Sequence, residues 1–219
     1  MLELYPTLLD FRLALSALVI IALGTIILST VIQKELALTL MFIKVGLVVA
    51  YFGFFADGTW FYGGDDLAFF ERGLKLFHTG RNPLTIWTHH EAIYLKTYNP
   101  SLSLIFFHNF LSIYLFGPYY HSPIMLNVLI SAGTAVLLVR VMDDIFDGSR
   151  YRSLFVVFVC LHWTVVVWHS FLNLKEPFVA LLSVLMIFFV TRFRMTPFRS
   201  VLGVVLTVLL LLRIRFYFP

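Results

Sequence analysis

Charged residues are scarce in this sequence. Only 13% of its 219 residues are Asp, Glu, Lys or Arg, whereas a soluble domain carries about a quarter. Cysteine occurs once, as Cys160, so no disulfide can form within the chain. The basic residues are scattered between apolar runs, which gives no basic stripe for a nucleic acid. The composition therefore excludes an ordinary soluble domain and a disulfide scaffold, and it argues against a nucleic-acid partner.

Long apolar runs fill most of the chain, with 60% hydrophobic residues and a mean hydropathy of +0.92. About 20 such residues let a helix cross a bilayer, and continuous rather than alternating apolarity favours helices over a barrel. The sequence predicts one transmembrane domain over residues 1–219, an all-α polytopic helical bundle in the lipid bilayer, in the plasma membrane if the source is prokaryotic. About seven spans are expected, at 13–33, 36–55, 101–117, 122–142, 152–170, 177–193 and 199–217.

One connection, residues 56–100, is far longer than the others. It holds five of the twelve acidic residues and three of the seven histidines. Leu67, Phe70, Leu74 and Phe77 recur at helical spacing, and a second amphipathic stretch covers 84–98. We therefore predict two interfacial amphipathic helices in this loop and expect any chemistry to concentrate there.

Two adjacent carboxylates, Asp65 and Asp66, stand directly before the first of these helices. Neighbouring carboxylates repel each other, which raises the pKa of one of them. Such a pair suits a general base or an oxygen-ligand site for a divalent cation. Asp57 is a candidate third member of such a site. The alternative is that the pair caps the helix and interacts with its dipole.

Four basic residues are candidates for binding an anionic substrate. Lys44 falls near the middle of the second predicted span, so it should face the bundle interior or a wet cavity unless the helix boundary is misplaced. Lys175 precedes Pro177 at the start of a predicted helix, where the helix dipole also favours a phosphate; an ordinary charged turn is the alternative. Arg213 and Arg215 near the end of the last span are either phosphate ligands or interfacial anchors.

Histidines offer a further set of possible ligands. The His-His-Glu triplet at 89–91 is more typical of a wet interfacial cluster than of a metal site, because consecutive helical residues point about 100° apart. His108 falls in the predicted span 101–117, His162 and His169 fall in the predicted span 152–170, and all three are expected to be hydrogen-bonded within the bundle.

Charge also bears on orientation. If all seven spans alternate, residues 56–100, 140–152 and 192–199 share one face with the N-terminus, and that face holds eleven of the sixteen basic residues. The positive-inside rule would make it cytoplasmic.

The order of several short motifs is more specific than any one of them. Gly-Gly-Asp-Asp-Leu-Ala-Phe-Phe-Glu-Arg-Gly follows an early span, and the other motifs are Asn99–Leu102, Leu115–Gly117, Phe146–Gly148 after Arg140, Lys175–Pro177 and Leu212–Arg215. This order resembles the GT-C superfamily of polytopic membrane glycosyltransferases, particularly its protein mannosyltransferase and lipid A aminoarabinose transferase branch.

The resemblance implies an inverting transfer of a sugar from a polyprenyl-phosphate donor. Asp65 or Asp66 would be the catalytic acid/base or metal-site carboxylate, and Lys175, Arg213 and Arg215 would hold the lipid phosphate. The acidic loop would then lie outside the cytoplasm, whereas the positive-inside rule applied to seven spans places it inside.

This sequence departs from the family in having an additional early span, a single proline at Pro100, and an end at Pro219 where the family continues. We therefore expect either the core of such an enzyme, a subunit that needs a protein partner, or a non-enzymatic relative such as a lipid-binding scaffold. A small transporter, suggested by Lys44 and the histidines within spans, is a further alternative.

Overall fold

The computed structural model describes residues 11–55, 65–98, 102–146 and 149–214. These residues form helices and connections without any strand, which confirms the all-α prediction for this part of the chain. The α-helices are α1 (Phe11–Leu28), α2 (Lys34–Ala50), α3 (Asp65–Phe77), α4 (His90–Tyr98), α5 (Ser103–Phe116), α6 (His121–Phe146), α7 (Arg152–Leu161), α8 (Trp163–Ser170), α9 (Glu176–Thr191) and α10 (Pro197–Leu212).

Three helical segments of the described chain are long and apolar enough to cross a membrane. They are α1, α6 and Lys34–Phe54, in which α2 continues into a π-helical turn. The apolar helices α5, α7, α9 and α10 are shorter, between 10 and 17 residues. The structure thus supports a membrane protein with three candidate spanning helices.

The predicted span over 152–170 is two helices. His162 leaves helical geometry with a ψ of 128°, which ends α7 and begins α8. Neither proline nor glycine occurs in this stretch, so the sequence contains none of the residues that usually interrupt a helix.

The long helix α6 defines two ends of the molecule. It has 26 residues and is therefore about 39 Å long. Tyr120, just before it, contacts Asp66 at the start of α3. Asp144, near its last turn, binds Arg192 at the end of α9. We call these the acidic-pair end and the arginine end.

The first two helices run between these ends. Arg12 in α1 lies beside Gly117, close to the start of α6. The ring of Phe52, just after α2, lies 6.2 Å from that of Tyr120. Both contacts belong to the acidic-pair end, so the connection between α1 and α2 lies towards the arginine end.

The later helices also run from end to end. Arg152 at the start of α7 binds Asp143 at the arginine end, whereas Phe171 after α8 packs on Tyr51 at the acidic-pair end. Helix α9 returns to the arginine end, and α10 packs against it in the opposite direction, because Ile214 after α10 joins the apolar cluster of the first half of α9.

Helix α5 instead lies across the acidic-pair end. Its His108 ring packs 4.7 Å from that of Phe178, in the first turn of α9. Its last residues lead directly to Tyr120 at the same end. Both halves of α5 therefore contact the acidic-pair end. The prediction from seven alternating spans, that residues 56–100 share one face with residues 140–152 and 192–199, is wrong, because these two connections lie at the end opposite to Asp66.

Helix α3 packs along α5, and a glycine permits the close approach. A Cβ at Gly73 would lie 2.5 Å from the Asn109 Cβ and 2.9 Å from the backbone nitrogen of Phe110. Phe70 and Leu74 of the predicted apolar stripe are buried in the main apolar core, together with Ile113 of α5 and Tyr120. The α3–α5 pair thus positions the acidic pair against the end of the bundle.

Candidate functional site

Asp66 is held inside the protein at the start of α3. Its side chain is only 5% exposed, and its Oδ2 accepts a hydrogen bond of 2.6 Å from the Tyr120 hydroxyl. Such a short bond fixes the direction of the carboxylate. Asp65 is the first residue of α3, and its side chain lies outside what the structure describes.

A buried asparagine joins three segments at this place. The Nδ2 atom of Asn173, in the connection between α8 and α9, donates hydrogen bonds to the backbone oxygen of Asp66 at 3.1 Å and to Oδ1 of Asn109 at 2.7 Å. Asn109 in turn donates to the backbone oxygen of Ile105 at 2.9 Å. The start of α3, the middle of α5 and the turn before α9 are therefore connected through one side chain.

Further buried polar groups surround this asparagine. Asn127 of α6 donates at 3.5 Å to the backbone oxygen of Leu172, and His108 lies beside Asn127. The Nε2 of His108, the Oδ1 of Asn127 and the Oγ of Ser170 are buried without a hydrogen-bond partner in the described part of the chain. Since buried polar groups are normally paired, each of these three atoms is a candidate to bond an ordered water.

Two of the predicted phosphate ligands lie at the same end as Asp66. Lys175 is the N-cap residue of α9, two residues after Asn173, and its side chain is partly exposed. Arg213 is the C-cap residue of α10 and is exposed. The structure therefore brings one predicted carboxylate and two predicted cations to the acidic-pair end.

Lys44 lies elsewhere. It is fully buried, and its Nζ donates a 3.2 Å hydrogen bond to the backbone oxygen of Cys160. It precedes Phe52 by eight residues, about 12 Å along α2 at 1.5 Å per residue. The prediction that Lys44 faces the bundle interior is confirmed, but Lys44 is separated from the acidic-pair end.

The charges around the 89–91 triplet have local partners. Lys75 Nζ lies 2.9 Å from Glu91 Oε2, and this hydrogen bond holds the pKa of Glu91 below its usual value. The His89 and His90 rings pack 4.2 Å apart, and His90 is largely exposed. These contacts fit a wet, charged surface on α4.

Several predicted residues lie outside the described residues. They are Asp57, Gly63, Gly64, Asn99–Ser101, Asp147, Gly148 and Arg215. Within the described ranges, no three His, Cys, Asp or Glu side chains come together as metal ligands. The Tyr120 hydroxyl occupies one oxygen of Asp66, and the side chain of Asp65, the other candidate ligand, lies outside what the structure describes.

Sequence reasoning missed two residues that hold the acidic pair. Tyr120 had no distinguishing signal, because a tyrosine before an apolar helix is common at membrane interfaces. Asn173 stands in the Asn-Leu-Lys-Glu-Pro turn singled out for Lys175. A polar residue so close to an apolar run was the available signal for it.

Comparison with known proteins gives no relative from which a function could be transferred. No protein-family model matches the chain, and no curated protein or solved structure is significantly similar to it. Function must be inferred from the placement of its own side chains.

Proposed function

We propose that this chain is a membrane glycosyltransferase of the GT-C type, or the catalytic core of one. It would transfer a sugar from a polyprenyl-phosphate donor to an acceptor with inversion. The observation that carries the proposal is the buried carboxylate of Asp66, fixed by Tyr120 at the end of the bundle that also carries Lys175 and Arg213. A base and phosphate-binding cations on one end are what this transfer requires.

The chemistry assigns a role to each group. The acceptor hydroxyl loses its proton to a carboxylate of the acidic pair as its oxygen attacks the anomeric carbon. The bond from that carbon to the phosphate oxygen breaks, and the electron pair leaves with the lipid phosphate. Lys175 and Arg213, with Arg215 as a further candidate, would stabilise the charge on that phosphate. Attack opposite the leaving phosphate inverts the configuration.

The distribution of basic residues supports an orientation for this reaction. With α5 lying across one end, residues 56–120 form a single connection longer than the roughly 60 residues for which the positive-inside rule holds. Among the short connections and ends that the structure describes, Arg12, Lys175 and Arg213 lie at the acidic-pair end. The arginine end has Lys34, Arg140, Arg150, Arg152, Arg192, Arg194 and Arg199.

We therefore infer that the arginine end is cytoplasmic and that the acidic pair faces the other side, in a multi-pass protein with six crossing segments. Cysteine labelling tests this. In a Cys160→Ser background, Arg81→Cys and Arg194→Cys place exposed thiols at opposite ends. An impermeant maleimide added to intact cells should label residue 81 and not residue 194. Labelling of both or neither before lysis, with full labelling after it, would contradict the orientation.

Transfer activity tests the catalytic role. Asp65→Asn and Asp66→Asn should each lower transfer from a polyprenyl-phosphate sugar by about 10²–10⁴-fold, the usual contribution of general base catalysis. Glu71→Gln is the matched control, because Glu71 is an exposed acid on the same helix. Unchanged thermal unfolding would show that each variant folds. Full activity in both aspartate variants would reject the role.

A non-enzymatic membrane subunit or lipid-binding scaffold is the second candidate. The same contacts favour it, since a buried carboxylate bonded to Tyr120 can serve purely to connect α3 to α6. This function predicts a stoichiometric protein partner on purification and no transfer by the isolated chain. Robust transfer by the purified chain alone would exclude it.

A further inference from the structure

The turn between α9 and α10 combines basic and large apolar side chains at the arginine end. Arg192, Arg194 and Arg199 occur within eight residues. Between them, Met195 is 77% exposed and Phe198 is 81% exposed. Apolar side chains beside arginines suit the depth at which headgroup phosphates meet acyl chains.

A groove of about 250 Å³ opens beside this turn. A Cβ at Gly203 would lie 2.5 Å from the Phe189 ring, so the glycine lets this ring pack directly on α10. The ring thereby forms one wall of the groove. The lining residues are Phe188, Phe189, Arg192, Met195, Thr196 and Arg199.

The positive charge around the groove is only partly compensated. Arg192 binds both oxygens of Asp144, at 2.7 and 3.2 Å, and stacks 4.3 Å over Phe188. The exposed side chains of Arg194 and Arg199 make no hydrogen bond or ion pair within the described ranges. The first turn of α10 adds the positive end of its helix dipole. The groove is thus complementary to an anion.

We propose that this groove binds the headgroup of an anionic phospholipid. Arg199, which lines the groove, binds its phosphate, and an acyl chain lies along the exposed face of α10. From Phe198 this face continues towards the end of α10 at helical spacing, through Leu202, Leu206 and Leu209, each of which is about half exposed. A basic groove that borders an apolar helix face fits a phospholipid better than a free phosphate, because a free phosphate would contact only the basic side chains. This site is independent of the proposed transferase activity.

Native mass spectrometry of the full chain tests the site. In detergent, phosphatidylglycerol should bind more tightly than phosphatidylcholine with the same acyl chains. Arg199→Gln should weaken phosphatidylglycerol binding about fivefold, the factor expected for one basic residue near the lipid charge. Arg199→Lys should retain most of the affinity. Arg140→Gln removes an equal charge at the same end, from an exposed residue outside the groove, and should leave binding unchanged.

Three results would overturn the proposal. Equal binding of the two lipids by the wild-type chain would remove the need for a cationic site. Equal losses in Arg140→Gln and Arg199→Gln would show that only net charge matters. Binding of glycerophosphoglycerol, which lacks acyl chains, as tightly as the lipid would show a phosphate site without the apolar face of α10. Thermal unfolding of each variant establishes that it is folded.

Discussion

Replacing Gly73 with alanine tests the contact that holds the acidic pair against the bundle. The added Cβ would lie 2.5 Å from the Asn109 Cβ, 2.9 Å from the Asn109 carbonyl carbon and 2.9 Å from the Phe110 nitrogen. Two of these atoms belong to the backbone, so rotation of a side chain cannot relieve the clash. Helix α3 must move away from α5, which disturbs the hydrogen bond from Asn173 to the Asp66 backbone oxygen and so the support of Asp66.

The expected loss of stability follows from three contributions. Overpacking costs about 1–3 kcal/mol, and alanine recovers about 1 kcal/mol over glycine in helix propensity. Weakening the buried bond from Asn173 to the Asp66 backbone oxygen costs about 1–3 kcal/mol more. Together these contributions lower the free energy of unfolding of Gly73→Ala by about 1–5 kcal/mol, with a midpoint of about 3 kcal/mol.

Gly46→Ala in α2 is the matched control, since no atom lies within 4 Å of the position its Cβ would take. Only the propensity contribution remains there, so a gain of about 0.5–1 kcal/mol is expected. Denaturant unfolding in micelles, followed by circular dichroism, compares both variants with the wild type. Equal shifts in the two variants, or wild-type stability of Gly73→Ala, would refute the close contact between α3 and α5.

Three further changes have defined outcomes. Lys44→Met should raise the thermal midpoint, because methionine fills a similar volume without a buried charge; a fall would show a structural need for the ammonium. The depressed pKa of Glu91 means that its pair with Lys75 stabilises the fold above about pH 4.5 and loses this effect as the pH falls further. Amide-exchange protection of α4 should therefore drop more between pH 6 and 3.5 in the wild type than in Lys75→Met, and equal drops would contradict the pairing. Asp144→Asn should cost about 0.5–1 kcal/mol in denaturant unfolding, and no loss would show that the pair with Arg192 is not stabilising.

The sequence was sufficient to locate the helices but not to orient all of them. Each predicted span falls mainly on helix in its described part, because long apolar runs leave few alternatives, although residues 29–33 form a turn and 152–170 is broken at His162. The position of α5 could not be predicted from hydropathy, because a helix covered by other helices is apolar on all sides, as is a helix in lipid. Its Ile105, Phe106 and Phe110 are buried against α3 and its surroundings. Hydropathy alone cannot distinguish these two environments.

The candidate site was predictable only in part. Asp66 stood out because acidic residues are rare in this chain, and the scarcity itself was the signal. Its partners were hidden, because the bonds from Tyr120 and Asn173 to Asp66 join residues 54 and 107 positions apart. Interactions over such separations leave no local pattern. The break at His162 also lacked a signal, because no glycine or proline marks it.

The orientation of α5 determines on which side of the membrane the basic residues of the later connections lie. The chain changes sides of the bilayer at each crossing helix. If one helix does not cross, every later connection therefore lies on the other side relative to the acidic pair. If α5 crossed, Asp66 and Tyr120 would lie on opposite sides of a hydrocarbon core about 30 Å thick, which their 2.6 Å hydrogen bond excludes. With α5 across one end, the arginines of the α6–α7 and α9–α10 connections move to the other side. With the six proposed crossings, the positive-inside rule and an acidic loop outside the cytoplasm would then agree.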